Sequence, residues 1–328
     1  MSPRILTYGR LSDAQLAELR EQFHVDAFDG PGDAERPEFR EALGKAHALI
    51  GAGLNITSEM LDAAPDLTVI ASISVGVDNY PVEELTRRGI LLCNTPDVLT
   101  ETTADTGFAL IMASARRVVE LAEYVKKGDW QAGIGAAQFG TDVHGKTLGM
   151  VGFGRIGQAV ARRGALGFGM KILYANASPK PEIEKELGAR RCELDELLQS
   201  ADFVCTIVPL TADTRHLIGA RELGLMRESA IFINIARGQV VDEAALIEAL
   251  QEGRIRGAGL DVFDKEPLPA DSPLPHMANV VALPHIGSAT HETRNAMAQR
   301  AVDNVKRTLN GERPISPINA EVLSRRFT

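Results

Sequence analysis

Three side chains in the second half of the chain have the chemistry to reduce a carbonyl together: Arg237, Glu266 and His285. Each follows an apolar, strand-like run or its loop, in the segments AIFINIARG, GLDVFDKEP and VVALPHIG. In doubly wound α/β folds, ligands bind outside the carboxyl ends of the strands. An arginine there offers a planar fork for a carboxylate or a keto oxygen. A carboxylate beside a histidine favours the protonated ring, which can deliver the proton that carbonyl reduction requires on oxygen. Taken singly, each also fits a plainer role, because strand-end histidines are often structural and an arginine before glycine often caps or pairs. On spacing alone the three indicate a nucleotide-binding α/β enzyme with oxidoreductase chemistry as one reading.

The nucleotide part rests on Gly152-Phe153-Gly154-Arg155-Ile156-Gly157, directly after the strand-like TLGMV and opening a helical pattern. Gly152 permits a tight turn, Gly154 a close backbone approach to a pyrophosphate, and Gly157 close helix–sheet packing. The pyrophosphate then sits on unpaired N–H groups at the helix N-terminus. Roughly 20 residues further on, at the end of the next strand, an NAD site places an acidic residue for the ribose hydroxyls. Here the chain reads Tyr174-Ala175-Asn176-Ala177-Ser178-Pro179-Lys180, and the next carboxylate is Glu182. The absence of a carboxylate removes the repulsion of a 2′-phosphate. Asn176 and Ser178 can donate hydrogen bonds and Lys180 supplies charge, so NADP is favoured over NAD. No arginine stands beside the strand end in the sequence, and the same stretch also reads as a solvated loop carrying a lysine.

The elements that position these residues alternate along the chain. Strands are expected at Arg4–Tyr8, His47–Ile50, Leu67–Ser74 and Ile90–Cys93, with helices over Ser12–Phe23 (capped by Ser12), Thr57–Ala64 and Val82–Arg88. One long helix is expected next, capped by Thr100 or Thr102. Apolar residues at Ala104, Phe108, Ile111, Met112, Ala115, Val118 and Val119 keep its 3.6 period, and it ends near Lys127-Gly128. Gly133–Gly145 reads as an exposed loop. A second series follows, with strands at Thr147–Val151, Lys171–Tyr174, Phe203–Val208, Ala230–Ile235, Gly259–Phe263 and Val280–Leu283, and helices from Ile156, over Glu243–Glu252 and over Glu292–Leu309. Alternating β and α units of this kind imply parallel sheets covered on both faces. The expected architecture is therefore α/β, with two doubly wound parallel-sheet domains, and 328 residues is an appropriate length for two.

Composition narrows the partners. With 35 Lys+Arg against 44 Asp+Glu the net charge is −9, which repels nucleic acid and anionic lipid. No apolar run approaches the roughly 20 residues needed to span a bilayer, and the N-terminus lacks the apolar region of a signal peptide. Neither a nucleic acid nor a membrane is an expected partner, and a cytoplasmic location is expected. Cys93, Cys192 and Cys205 are widely spaced and odd in number, which fits reduced core thiols rather than a disulfide framework or a zinc site. No metal is expected.

The sequence resembles the D-isomer-specific 2-hydroxyacid dehydrogenase family over almost its whole length. The blocks that carry the resemblance are SVGVDN (Ser74–Asn79), the glycine-rich block, NIARGQVVDEAAL (Asn234–Leu246), GLDVFDKEP (Gly259–Pro267) and PHIGSAT (Pro284–Thr290). TPDVLTETTADT (Thr95–Thr106) and FGTDVHGKTLG (Phe139–Gly149) are most similar to the glyoxylate/hydroxypyruvate and 2-ketogluconate reductase branch. The resemblance implies a nicotinamide-dependent reductase of a small 2-keto acid, with glyoxylate, hydroxypyruvate and 2-ketogluconate as candidates. It implies His285 as acid/base, Glu266 as its partner, and Arg237 as the residue that binds and polarises the substrate. Main-chain N–H groups of Val75 and Gly76 would hold the substrate carboxylate. Arg155 and Ile156 would lie beside the pyrophosphate, and Ile235, Asp261 and Thr103 near the nicotinamide. It further implies a substrate-binding domain formed by residues 1–98 and 289–328, a dinucleotide-binding domain over 99–288, and an active site in the cleft between them. A homodimer through the nucleotide-binding domain, with Trp130 and the Gly133–Gly145 loop in that domain, is also implied. A non-catalytic NAD(P)H-sensing scaffold shares this resemblance, but the complete Arg–Glu–His set argues against it. The alternative within the family is oxidation of phosphoglycerate, formate or phosphite: Glu266 disfavours formate, whose enzymes usually carry Gln there, and the missing acidic residue disfavours phosphoglycerate.

Overall fold

The structure is a computed structural model and describes residues 2–325. The chain divides into two compact units, Met1–Leu99 with Thr290–Thr328, and Thr100–Ala289.

The first unit opens with β1 (Arg4–Tyr8), α1 (Asp13–Arg20), β2 (His24–Phe28), α2 (Pro37–Leu43), β3 (Ala48–Gly51), α3 (Ser58–Asp62), β4 (Val69–Ser72), α4 (Val82–Arg88) and β5 (Leu91–Cys93). Helix α1 starts at a capping box: Ser12 accepts from the Gln15 N–H, while the Gln15 side chain accepts from the Ser12 N–H. The five strands are all parallel in the order β2-β1-β3-β4-β5, the flavodoxin-like arrangement. Leu6, Leu49, Ile70 and Leu92 are register partners across it and form one buried row against Phe39, Leu61 and Leu85 of α2, α3 and α4.

The second unit runs through α5 (Thr100–Ala115), α6 (Val118–Lys126), β6 (Thr147–Val151), α7 (Arg155–Arg162), β7 (Lys171–Ala175), α8 (Pro181–Leu187), β8 (Arg190–Arg191), α9 (Leu194–Ser200), β9 (Phe203–Thr206), α10 (Ala220–Leu225), β10 (Ile231–Asn234), α11 (Glu243–Gln251), β11 (Gly257–Leu260) and β12 (Val280–Ala282). Its seven parallel strands lie in the order β12-β11-β10-β9-β6-β7-β8. The direction of strand addition reverses beside β6, so this is the doubly wound dinucleotide-binding topology with one strand added. One face buries the row Ile172–Leu148–Phe203–Ile231, and the other the row Leu173–Gly149–Val204–Phe232–Ala258.

The last helix, α12 (His291–Leu309), belongs to the first unit, where Met297, Ala301, Val302 and Val305 are buried. The segment after it is tied to β5 by side chains of Asn304 and Asn319. Asn304 is fully buried; its oxygen accepts from the Ile315 and Ser316 N–H groups at 2.8 and 3.1 Å. Asn319 donates to the Ile90 carbonyl and accepts from the Leu92 N–H.

Several local expectations change. The long helix after residue 100 is two helices, because Arg117 adopts a left-handed conformation (φ 54°). Its guanidinium grips Glu120 through two bonds and the Ala137 carbonyl, and the Ala115 carbonyl accepts from the Thr141 N–H instead of a further helical turn. Thr100 lies within the first turn of α5 rather than before it. Strand β2 escaped the sequence reading because HVDAF is a sheet edge with only partial burial and no apolar run. Cys93 and Cys205 are buried, with burial pushing both thiols up to about 12, whereas Cys192 is only half-buried. No helix among the described residues is long and apolar enough to cross a membrane. No group of three or more His, Cys, Asp or Glu among them is placed to hold a metal ion.

Candidate active site

The strands of the second unit end in line. Ala282, Leu260, Asn234, Thr206, Val151 and Ala175 are successive register partners across β12, β11, β10, β9, β6 and β7. Strand spacing is about 4.8 Å, so residues just beyond this row form one edge: Gly152 after β6, Ile235 after β10, Asp261 after β11 and Leu283 after β12.

At β6 the chain turns sharply at Gly152 (φ 94°), whose N–H donates to the Ala175 carbonyl. A Cβ on Gly157 would stand 2.6 Å from the Gly152 carbonyl oxygen, so α7 approaches the turn as closely as backbone allows. Gly154 is different. It precedes α7 in an extended conformation, no side chain caps the helix there, and no atom lies within 4 Å of the place a Cβ would take. A close-packed strand–turn–helix with one open glycine at an uncapped helix start fits a pyrophosphate. Arg155 and Ile156 form the first turn of α7. Phe153 stacks on Tyr174 with centroids 4.1 Å apart, and its N–H donates to Asn176 Oδ1 at 3.1 Å. The Asn176 amide also donates to the Ser178 carbonyl at 2.9 Å, so this side chain is committed to shaping the loop after β7.

Arg237, Glu266 and His285 lie in the loops after three adjacent strands, β10, β11 and β12. After β10, Asn234 builds the turn: its Oδ1 accepts from the Ala236 N–H and its amide donates to the Arg237 carbonyl. Gly238 passes so close to the Phe263 backbone that no side chain fits, which locks the loops after β10 and β11 together. Arg237 donates to the Ala236 carbonyl at 2.8 Å and its charge also acts on Glu266.

Glu266 Oε1 accepts from the Phe263 N–H at 3.0 Å, and Oε2 lies 2.7 Å from His285 Nδ1. Partial burial pushes the Glu266 pKa up. The hydrogen bond and charge of His285, the Phe263 N–H and Arg237 outweigh that effect and hold it below the usual carboxylate range. An ionised carboxylate only accepts, so Nδ1 carries the proton of that bond and Nε2 takes no part in it.

His285 is itself in the left-handed region (φ 55°), and its turn is pinned from below by Asp261. The two Asp261 oxygens accept from the Ile286 and Gly287 N–H groups at 2.7 and 2.8 Å. Asp261 is buried, and burial raises its pKa against those two bonds. Thr103, from α5, lies against Gly287 (a Cβ there would be 3.2 Å from the Thr103 methyl), and Ile235 is buried under Gly107. Thr103, Asp261 and the turn after His285 thus form one packed group.

Within the first unit, Val75 and Gly76 are half-buried in the turn after β4. The Val75 carbonyl accepts from Asn94, while the N–H groups of Val75 and Gly76 have no acceptor among the described residues.

Sequence order hides one neighbour of the cofactor loop. Arg191 on β8 is the register partner of Tyr174, and it donates from Nε to the Asn176 carbonyl and from Nη2 to the Ala177 carbonyl, both at 3.1 Å. An arginine therefore does stand at the end of β7, contrary to the linear reading. Only the pairing of β7 with a two-residue edge strand reveals it.

The doubly wound fold and the glycine-rich turn define a dinucleotide-binding protein. The profile of the D-isomer specific 2-hydroxyacid dehydrogenase NAD binding domain matches residues 108–287. The chain is 52% identical over 323 residues to glyoxylate/hydroxypyruvate reductase B of Yersinia pestis, covering 98% of this chain and 99% of that one. It is also 52% identical over 322 residues to the protein of the same name from Escherichia fergusonii, with the same coverage. Among solved structures, the NADPH-dependent glyoxylate/hydroxypyruvate reductase of Sinorhizobium meliloti with NADP and malonate superposes with a TM-score of 0.86 at 34% identity, covering 97% of each chain. The chain belongs to the D-isomer specific 2-hydroxyacid dehydrogenase family. It is a nicotinamide-dependent oxidoreductase that reduces 2-keto acids.

Proposed function

We propose that this protein is an NADPH-preferring reductase of a small 2-keto acid (glyoxylate, hydroxypyruvate or 2-ketogluconate) that yields the D-2-hydroxy acid. The observation that carries the chemistry is the 2.7 Å pair of His285 Nδ1 and Glu266, one strand from the Arg237 turn. When bound, the reduced nicotinamide supplies the hydride. His285 Nε2 protonates the developing alkoxide, and the Glu266 carboxylate stabilises the charged ring before the proton leaves. Arg237 binds and polarises the keto acid, and Val75 and Gly76 offer main-chain N–H groups to its carboxylate. Gly152, Gly154, Gly157, Arg155 and Ile156 hold the pyrophosphate; Ile235, Asp261 and Thr103 line the nicotinamide side. Residues 1–98 and 289–328 bind substrate, and 99–288 bind the dinucleotide.

The cofactor preference is supported by the absence of a carboxylate between Ala175 and Lys180, and by the NADPH dependence of the Sinorhizobium meliloti relative. A cytoplasmic location is supported by thiols that carry no disulfide. A homodimer through the second unit is supported by its exposed apolar residues Val118, Val125, Trp130, Ile134 and Phe139.

The test is turnover of the purified protein with NADPH and with NADH against the three acids, followed by nicotinamide absorbance. Faster NADPH turnover on any of them upholds the proposal. Turnover with NADH alone refutes the cofactor assignment, and cofactor binding without turnover refutes the catalytic one.

A further inference from the structure

The loop Asn176–Lys180 follows the strand end where this fold receives the adenosine ribose. Two of its own polar side chains, Asn176 and Ser178, are already engaged with each other or with the turn after β6. Asn176 spends its oxygen on the Phe153 N–H and its amide on the Ser178 carbonyl, and the Ser178 hydroxyl lies 3.4 Å from that amide. Besides Lys180, Arg191 on the neighbouring strand keeps donors available. Of the five N–H donors of a guanidinium, two reach the Asn176 and Ala177 carbonyls, which leaves three. Neither Arg191 nor Lys180 has a carboxylate partner among the described residues, whereas the adjacent Arg190 is paired with Glu196 at 2.7 Å. Both cations belong to this one loop: Lys180 closes it, and Arg191 bonds two of its carbonyls from the neighbouring strand, while Glu184 is engaged by the Tyr174 hydroxyl.

We propose that Arg191 is the residue that selects NADPH, its guanidinium held by the two carbonyls and its remaining donors binding the 2′-phosphate, with Lys180 adding charge. The proposal rests on the NADPH preference argued above and names the group responsible for it. The two carbonyl bonds fix a planar fork in advance, so little side-chain freedom is lost on binding. NADH, lacking the phosphate, gains nothing from it.

The experiment measures binding of NADPH, NADH, 2′,5′-ADP and 5′-AMP to the wild type, Arg191→Gln and Arg191→Lys, with a thermal melt of each. The wild type should bind 2′,5′-ADP at least about tenfold more tightly than 5′-AMP. Arg191→Gln should remove that advantage and weaken NADPH about 10- to 100-fold, the loss expected for charge-assisted bonds, while NADH moves less than about threefold. Arg191→Lys should recover part of it, since charge returns without the fork. Equal losses for NADPH and NADH would make Arg191 a loop staple and overturn the proposal. So would a 2′,5′-ADP advantage that survives Arg191→Gln, although the NADPH preference would then stand. A wild type with no 2′-phosphate advantage overturns both.

Discussion

Gly152 and Gly154 lie two residues apart in the same turn, yet the structure gives a methyl added to each a different fate. At Gly152 the backbone sits at φ 94°, and a Cβ would stand 2.8 Å from both the Ile207 carbonyl carbon and a Val208 methyl. Left-handed strain costs about 1–3 kcal/mol, and overpacking against backbone adds a comparable amount. Gly152→Ala should therefore lower the melting temperature by roughly 5–15 °C. At Gly154 the conformation is extended (φ −75°, ψ −166°) and a Cβ meets nothing within 4 Å. Gly154→Ala should change stability by no more than about 0.5 kcal/mol. Its methyl would nevertheless occupy the space through which a pyrophosphate reaches the start of α7. Loss of one charge-assisted hydrogen bond, about 1.5–3 kcal/mol, weakens NADPH about 10- to 100-fold. Thermal melts and a fluorescence titration with NADPH measure both quantities. A Gly154→Ala protein that binds NADPH as tightly as wild type would refute the assignment of this turn to the pyrophosphate.

His285→Ala should cut turnover about 10²- to 10⁴-fold and move NADPH affinity less than about threefold; steady-state rates with a parallel titration decide. Arg237→Ala should raise KM for the 2-keto acid about 100-fold, since a bidentate charge-assisted contact is lost, again with NADPH affinity nearly constant. The two carboxylates should give opposite pH dependences of stability. Asp261, raised by burial, favours folding while it is protonated, so the melting temperature of wild type minus that of Asp261→Asn should fall as pH rises from below the usual carboxylate range to neutrality. Glu266 has a net lowered pKa: burial raises it, but the His285 pair, the Phe263 N–H and Arg237 prevail. Its contribution is therefore present above the ordinary carboxylate pKa, and the wild-type advantage over Glu266→Gln should shrink as pH falls below it. Asp261→Asn should also slow turnover about 10- to 100-fold, because one amide cannot accept from both N–H groups beneath His285.

The sheets and the trio were legible in the sequence for one reason. Parallel strands are short apolar runs, and in this topology Arg237, Glu266 and His285 lie in the loops that follow three of them. The Ser12 cap and the roles of Gly152 and Gly157 followed from local backbone geometry alone. What the sequence withheld depended on contacts between distant segments. The periodicity of residues 104–119 runs straight through Arg117, and only the Glu120 pair and the Ala137 carbonyl show why the helix stops there. Arg191 is remote from Ala177 along the chain but adjacent to it across one strand pairing. Asp261 was placed near the nicotinamide by resemblance, and its hold on the turn after His285 emerged only with β11 and β12 side by side.

The return of α12 to the first unit has a consequence for synthesis. Ser316 and Asn94 meet through a hydrogen bond that spans 222 residues, and Asn319 reaches Leu92 across 227. The sheet β2-β1-β3-β4-β5 therefore leaves the ribosome before the second unit yet lacks part of its cover until the residues of these contacts have been made. The second unit, contiguous in the chain, has every strand and helix of its sheet available earlier. Nascent chains should accordingly finish folding in the middle before the beginning, and β5 and the face under α12 stay uncovered for the time that 190 further residues take to emerge. Through that interval an uncovered strand edge and apolar face are open to association, and slow codons downstream of Thr100 should lengthen the exposure.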